Sequence, residues 1–266
     1  MSNVSDARRE AETLAEGTLI SHLLELRNRL VKAFAAVLIL AVPCLWFANE
    51  LFTFVAQPLM QKLPAGASMI ATNVVTPFLT PIKLAIYVAI FIAMPVILYQ
   101  LWSFVAPGLY RHEKRFALPL LLSSILLFYG GIAFAYYLVF PYIFGYFVST
   151  APEGVLMMTD INEYLDFVVL LSFAFGIAFE VPVATVLLVL TGLVKIETLK
   201  KNRGYVLIGI FVVAAFLTPP DAISQVTMAL PMYLLYEVGI LMGRLMLNAK
   251  LRRAEEEEAR EKQAGA

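Results

Sequence analysis

Apolar positions along this chain fall in long blocks, not in the short alternating patterns of a soluble core. Uncharged stretches run from Ala33 to Asn49, Leu84 to Tyr110, Phe116 to Pro152, Phe167 to Phe179, Val181 to Val194, Gly204 to Pro220 and Ala222 to Tyr236. A bilayer core of about 30 Å takes roughly 20 apolar helical residues. The blocks therefore predict membrane-crossing helices at about 31–49, 78–102, 116–140, 167–193, 205–218 and 222–243, with Glu180 interrupting the fourth. Tyr205 to Leu217 is only 13 residues before the break Thr218-Pro219-Pro220-Asp221, roughly 20 Å of helix. Helices five and six are thus expected to be short, either as a re-entrant hairpin or as two helices crossing a thinned bilayer. Upstream, Leu19, Leu23, Leu26 and Leu30 are spaced four, three and four apart, which predicts an amphipathic interfacial helix at about 14–30.

Composition agrees: 61% hydrophobic and 15% charged residues, at a mean hydropathy of +0.80, exclude an ordinary soluble globular domain. Twenty basic residues balance twenty acidic ones, which excludes a strongly basic nucleic-acid binder, yet their placement is lopsided. All the basic residues except Lys62 and Lys83 precede or open the first span, lie between spans two and three or between spans four and five, or follow the sixth. The positive-inside rule then gives six spans with both termini in the cytoplasm. The expected organisation is one membrane domain over 1–248 and a charged cytoplasmic tail over 249–266. The polar start, with Glu12, Glu16 and Glu25, does not read as a cleaved signal peptide. A single cysteine, Cys44, and two distant histidines, His22 and His112, offer neither a disulfide nor a metal centre. Phosphate-loop, His-Glu-x-x-His and Gly-x-Ser-x-Gly motifs are absent, so no enzyme, cofactor or metal is expected.

Several residues go against this pattern. Glu25 stands three after His22 and four before Arg29, the spacing of a helical ion pair. Glu113 is the only carboxylate among Arg111, His112, Lys114 and Arg115, close to Phe104; a carboxylate beside an aromatic ring can receive guanidinium groups. Glu180 lies near the middle of the fourth span, where an ionised group costs about 2.5–3.5 kcal/mol on insertion scales. It should face a wet cavity or a partner, or be protonated; Pro182 can kink the helix there. Gly130-Gly131 with Ser123-Ser124 predict close helix packing. The loops at about 50–77 and 141–166, the latter with Glu153, Asp160, Glu163 and Asp166, read as solvated connections. Two functions remain open on residues alone: a binding and transport component, or a proton-coupled small-solute transporter using Glu180. The latter predicts inverted internal repeats, and none is visible.

The run Ser21-His22-Leu23-Leu24-Glu25-Leu26-Arg27-Asn28-Arg29-Leu30 resembles the N-terminal motif of the TatC family, core subunits of the twin-arginine protein translocase. The resemblance continues through Thr80-Pro81-Ile82-Lys83, Pro95 to Trp102, Ala106-Pro107-Gly108-Leu109-Tyr110 with His112-Glu113-Lys114, Phe175 to Pro182, and Leu217-Thr218-Pro219-Pro220-Asp221. It implies a curved, glove-like six-helix bundle in the bacterial inner membrane that binds Arg-Arg signal peptides of folded cargo. It implies a recognition patch of Glu25, Glu113, Arg27 and Phe104. It further implies partner-helix or polar intramembrane contacts at Glu180, Thr218 and Gln225, and functional positions at Pro58 and Asp221 on the trans side. The implied partners are TatA- and TatB-type single-span subunits in an oligomeric receptor complex, with the proton-motive force as energy source.

Overall fold

The computed structural model describes residues 2–64, 68–109, 117–150, 152, 158–218 and 222–264, with the backbone alone over 2–22, 105–109, 117 and parts of the tail. Ten α-helices account for most of these: α1 (Ser2–Trp46), α2 (Ala48–Met60), α3 (Thr76–Leu109), α4 (Ala117–Phe134), α5 (Phe140–Thr150), α6 (Ile161–Ala178), α7 (Val181–Leu190), α8 (Ile196–Lys201), α9 (Arg203–Leu217) and α10 (Ala222–Ala264). One π-turn, Ala135–Val139, joins α4 to α5. Among the described residues, five segments are long and apolar enough to cross a membrane: Leu23–Trp46, Thr76–Phe104, Leu118–Thr150, Ile161–Leu190 and Ala222–Arg253. Arg203–Leu217 is the shorter apolar helix among the described residues, as the spacing of its breakers predicts. The chain is a multi-pass membrane protein. Its exposed apolar side chains, Ile39, Val42 and Trp46 among them, are what a hydrocarbon-facing surface requires.

Helix boundaries depart from the sequence expectation where no residue enforces a stop. The amphipathic stretch and the first span form one uninterrupted helix, α1. The sixth helix does not end near 243 and is not short. Arg, Leu, Lys, Glu and Ala dominate the residues that follow, all good helix formers, and α10 continues to Ala264. The start of the first long connection, expected as solvated loop, is helix α2 with Ala56, Pro58 and Leu59 buried.

The chain divides into two compact units, residues 1–51 with 82–121, and residues 52–81 with 122–266. In the first, Cys44 meets Ala85 and Ala89, flanked by Leu40, Ala41 and Val88; alanines at the contact let two helix backbones come close. In the second, Phe140, Phe144, Tyr164, Phe175 and Met228 build the core. Glycine sets two of its crossings. A Cβ on Gly131 would lie 2.4 Å from the Phe175 carbonyl oxygen, and one on Gly239 would lie 3.0 Å from both Pro182 and Thr185. Of the Gly130-Gly131 pair only Gly131 makes the close approach, since Gly130 has 3.9 Å to Phe179.

Pro58 shapes α2 through what it lacks. With no N–H, it leaves the carbonyl of Phe54, four residues back, without its helical donor. The Tyr136 hydroxyl supplies one at 2.7 Å, and the Tyr164 hydroxyl does the same for the neighbouring Val55 carbonyl at 2.7 Å. Tyr136 stacks on Phe54 with centroids 4.9 Å apart. It sits in the π-turn, where the Phe140 N–H reaches back five residues to Ala135 just before Pro141.

Candidate functional site

Two constellations carry the chemistry predicted from sequence, one in each unit. In the first unit, α1 presents Glu25 and Arg29 one helical turn apart. The Arg29 Nε donates to Glu25 Oε1 at 3.0 Å, and its Nη2 donates to the same oxygen. Beside them, Leu26, Leu30, Ile97, Leu101 and Phe104 join Arg29 in lining an apolar pocket of about 150 Å³ between α1 and α3. Glu25 and Phe104 are therefore neighbours of one arginine, and that arginine is Arg29. Arg27, two residues from Glu25, sits on another face of the helix, where it donates to Asn28 at 3.4 Å. Glu113 and Asp221 lie outside the described residues.

In the second unit, Phe179 and Glu180 form the break between α6 and α7, with Pro182 in the first turn of α7. Glu180 Oε2 accepts from the Ser124 hydroxyl on α4 at 2.5 Å, while Oε1 is buried without a hydrogen-bond partner among the described residues. A second carboxylate in a span, Glu237 on α10, is placed differently: Arg203 pairs with it at 2.5 Å and the Tyr233 hydroxyl donates at 3.0 Å. Sequence alone does not link Glu237 to Arg203, since 34 residues separate them.

Thr218 and Gln225 flank the α9–α10 connection. Thr218 is buried and its hydroxyl donates to the Ala214 carbonyl at 2.9 Å; the Gln225 side-chain amide donates to the Phe211 carbonyl at 3.0 Å. Both are spent on holding α9. Alongside, α6, α9 and α10 bound an apolar groove of about 660 Å³ whose wall includes Leu170, Ile177, Gly209, Val213, Met232 and Tyr236. Pro58 is buried in α2.

Sequence alone gives Asp160 as one charge in a solvated acidic loop; in the fold it is a clamp. Its Oδ1 accepts from the backbone N–H of Asn162 at 2.8 Å and of Glu163 at 3.4 Å, capping α6. Its Oδ2 accepts from the Thr72 N–H at 2.9 Å and the Thr72 hydroxyl at 2.7 Å. Ile70 pairs with the same segment, donating to Thr159 and accepting from Ile161. These bonds from Thr72 and the helix amides hold the Asp160 carboxyl well below the usual range, at about 2. The signal was available: Asp160 followed three residues later by Glu163, ahead of an apolar run, is the spacing of a helix N-terminal cap.

A family model described as Sec-independent protein translocase protein (TatC) matches residues 21–231. The chain is 54% identical over 238 residues to the TatC protein of Azotobacter chroococcum mcd 1, covering 90% of this chain and 91% of that one. It is 52% identical over 237 residues to that of Escherichia coli (strain K12), covering 89% and 92%. A crystal structure of the twin arginine translocase receptor TatC superposes with a TM-score of 0.75 at 39% identity, over 84% of this chain and 98% of that one.

Proposed function

The chain belongs to the TatC family of Sec-independent protein translocases, and from that premise we propose that it is the receptor and core of a twin-arginine protein translocase. The family match across nearly all of the membrane-embedded chain carries this reading. In it, both termini lie in the cytoplasm, the protein resides in the bacterial inner membrane, and the cytoplasmic patch of Glu25, Glu113, Arg27 and Phe104 receives the Arg-Arg pair of a signal peptide. Two consecutive guanidinium groups call for two carboxylate acceptors, and the planar fork of arginine suits each one in a way an ammonium does not. The exposed Glu25 carboxylate, paired with an arginine that lines one pocket with Phe104, supports that assignment.

TatA- and TatB-type single-span subunits are the proposed partners in an oligomeric complex, with passage driven by the proton-motive force. Thr218 and Gln225 serve the partner contacts by fixing α9, and Pro58 and Asp221 serve from the opposite face. Glu180 is the polar point within the membrane for partner helices or water.

Binding of a fluorescent Arg-Arg signal peptide to the purified protein tests the receptor role. Glu25→Ala combined with Glu113→Ala should abolish it, and wild-type affinity in that double variant would defeat the reading. Glu180→Ala should leave peptide binding intact while lowering export of a folded Arg-Arg cargo.

A further inference from the structure

Arg29 has no role in the receptor reading above, and the inference drawn here rests on that reading. The two members of the Glu25–Arg29 pair are unequally placed. The Arg29 side chain is 22% exposed and packs along the apolar pocket with Leu26, Leu30 and Phe104, whereas the Glu25 side chain is 42% exposed. Both Arg29 bonds also end on one atom, since Nε and Nη2 donate to Oε1. A carboxylate can accept about four hydrogen bonds, so among the described residues this leaves the Oε2 edge for an incoming donor.

An arginine next to the receptor carboxylate is either a stand-in that a ligand displaces or a fixed support that a ligand uses. Burial decides between them. Arg29 is the sheltered partner, and withdrawing it would strip its aliphatic stem from the pocket wall. Glu25 is the partner that faces outward.

We propose that Arg29 is a positioning residue that determines specificity: by anchoring Oε1 it holds the Oε2 edge of Glu25 in the plane that an arginine of the signal peptide needs. A guanidinium fork depends on the orientation of the carboxylate, whereas an ammonium accepts almost any orientation. Loss of the anchor therefore weakens Arg-Arg binding more than Lys-Lys binding.

The test uses the full chain in lipid nanodiscs and two synthetic signal peptides, one Arg-Arg and one Lys-Lys, with Kd read by fluorescence anisotropy. Wild type should prefer Arg-Arg by about tenfold or more, the loss expected for charge-assisted bonds. Arg29→Gln and Arg29→Lys should weaken Arg-Arg binding about tenfold and Lys-Lys binding less than about threefold, so that the preference collapses. Arg29→Lys keeps the charge and the stem, so it decides the matter if Arg29→Gln does not fold. An intact preference in Arg29→Lys would reduce Arg29 to a local charge and overturn the proposal. Tighter Arg-Arg binding in Arg29→Gln would make it a displaced stand-in and also overturn it. Should wild type show no preference, or Glu25→Gln bind as wild type does, the receptor reading itself falls and takes the proposal with it.

Discussion

Single side chains in this protein complete what the backbone leaves open. The clearest case is Tyr136, whose hydroxyl replaces the donor that Pro58 removes from the Phe54 carbonyl. Tyr136→Phe should cost about 1 kcal/mol, the usual net value of one such bond. In a Pro58→Ala background an N–H returns to α2, so the same substitution should cost measurably less; a double-mutant cycle of thermal unfolding in detergent reads the coupling. Asp160 gives a pH signature. Its folded pKa, at about 2, lies below the value of about 3.9 for a free aspartate, so its clamp stabilises fully above that free value. The contribution fades as pH falls from about 4 towards 2, and Asp160→Asn should flatten the stability profile across that window. A sequence shows that Asp160 can cap a helix; it does not show that Thr72, 88 residues earlier, arrives to use the other oxygen.

At the level of elements, small residues set how closely helices cross. Gly131→Ala would drive a methyl group into the Phe175 carbonyl, and because that neighbour is backbone, overpacking of about 1–3 kcal/mol should follow. Gly130→Ala meets only ordinary contact and gains helix propensity, so it should be neutral or stabilising by up to about 1 kcal/mol. Thermal midpoints of the two variants in one detergent compare them directly. The Gly-Gly dipeptide announced tight packing, but which glycine faces α6 depends on helix rotation, and composition carries no trace of it. The same limit explains α2. Phe52, Val55, Ala56 and Leu59 stand at helical spacing, yet Pro58 and the following Pro64-Ala65-Gly66 mark the segment as loop in sequence. Where a breaker acts alone, as at Thr218-Pro219-Pro220-Asp221, the described end of α9 at Leu217 agrees with the sequence.

At the scale of the whole molecule, hydropathy carried most of the architecture, because apolar block length is a direct consequence of bilayer thickness. The sites were legible only as residue types. Glu180 stood out because a carboxylate inside a span needs a reason, but its Ser124 partner lies 56 residues away in sequence. Charge asymmetry makes a prediction that the fold alone does not. In a Cys44→Ala background, an impermeant maleimide applied to intact cells should label Met158→Cys and spare Lys200→Cys until the membrane is opened; the reverse pattern would invert the assigned orientation.

The glycines of the second unit also divide its helices by how easily they can part. Gly131 and Gly239 sit against backbone or branched side chains, whereas Gly204 and Gly209 on α9 have open space around them, and Ala214 is the single buried residue of that helix. Local opening free energies follow buried contact, so α9 should open ahead of α6, α7 and α10. A translocase that must admit and release cargo without losing its own fold would concentrate breathing motion there, and the backbone amides of α9 would exchange with solvent ahead of those on either side.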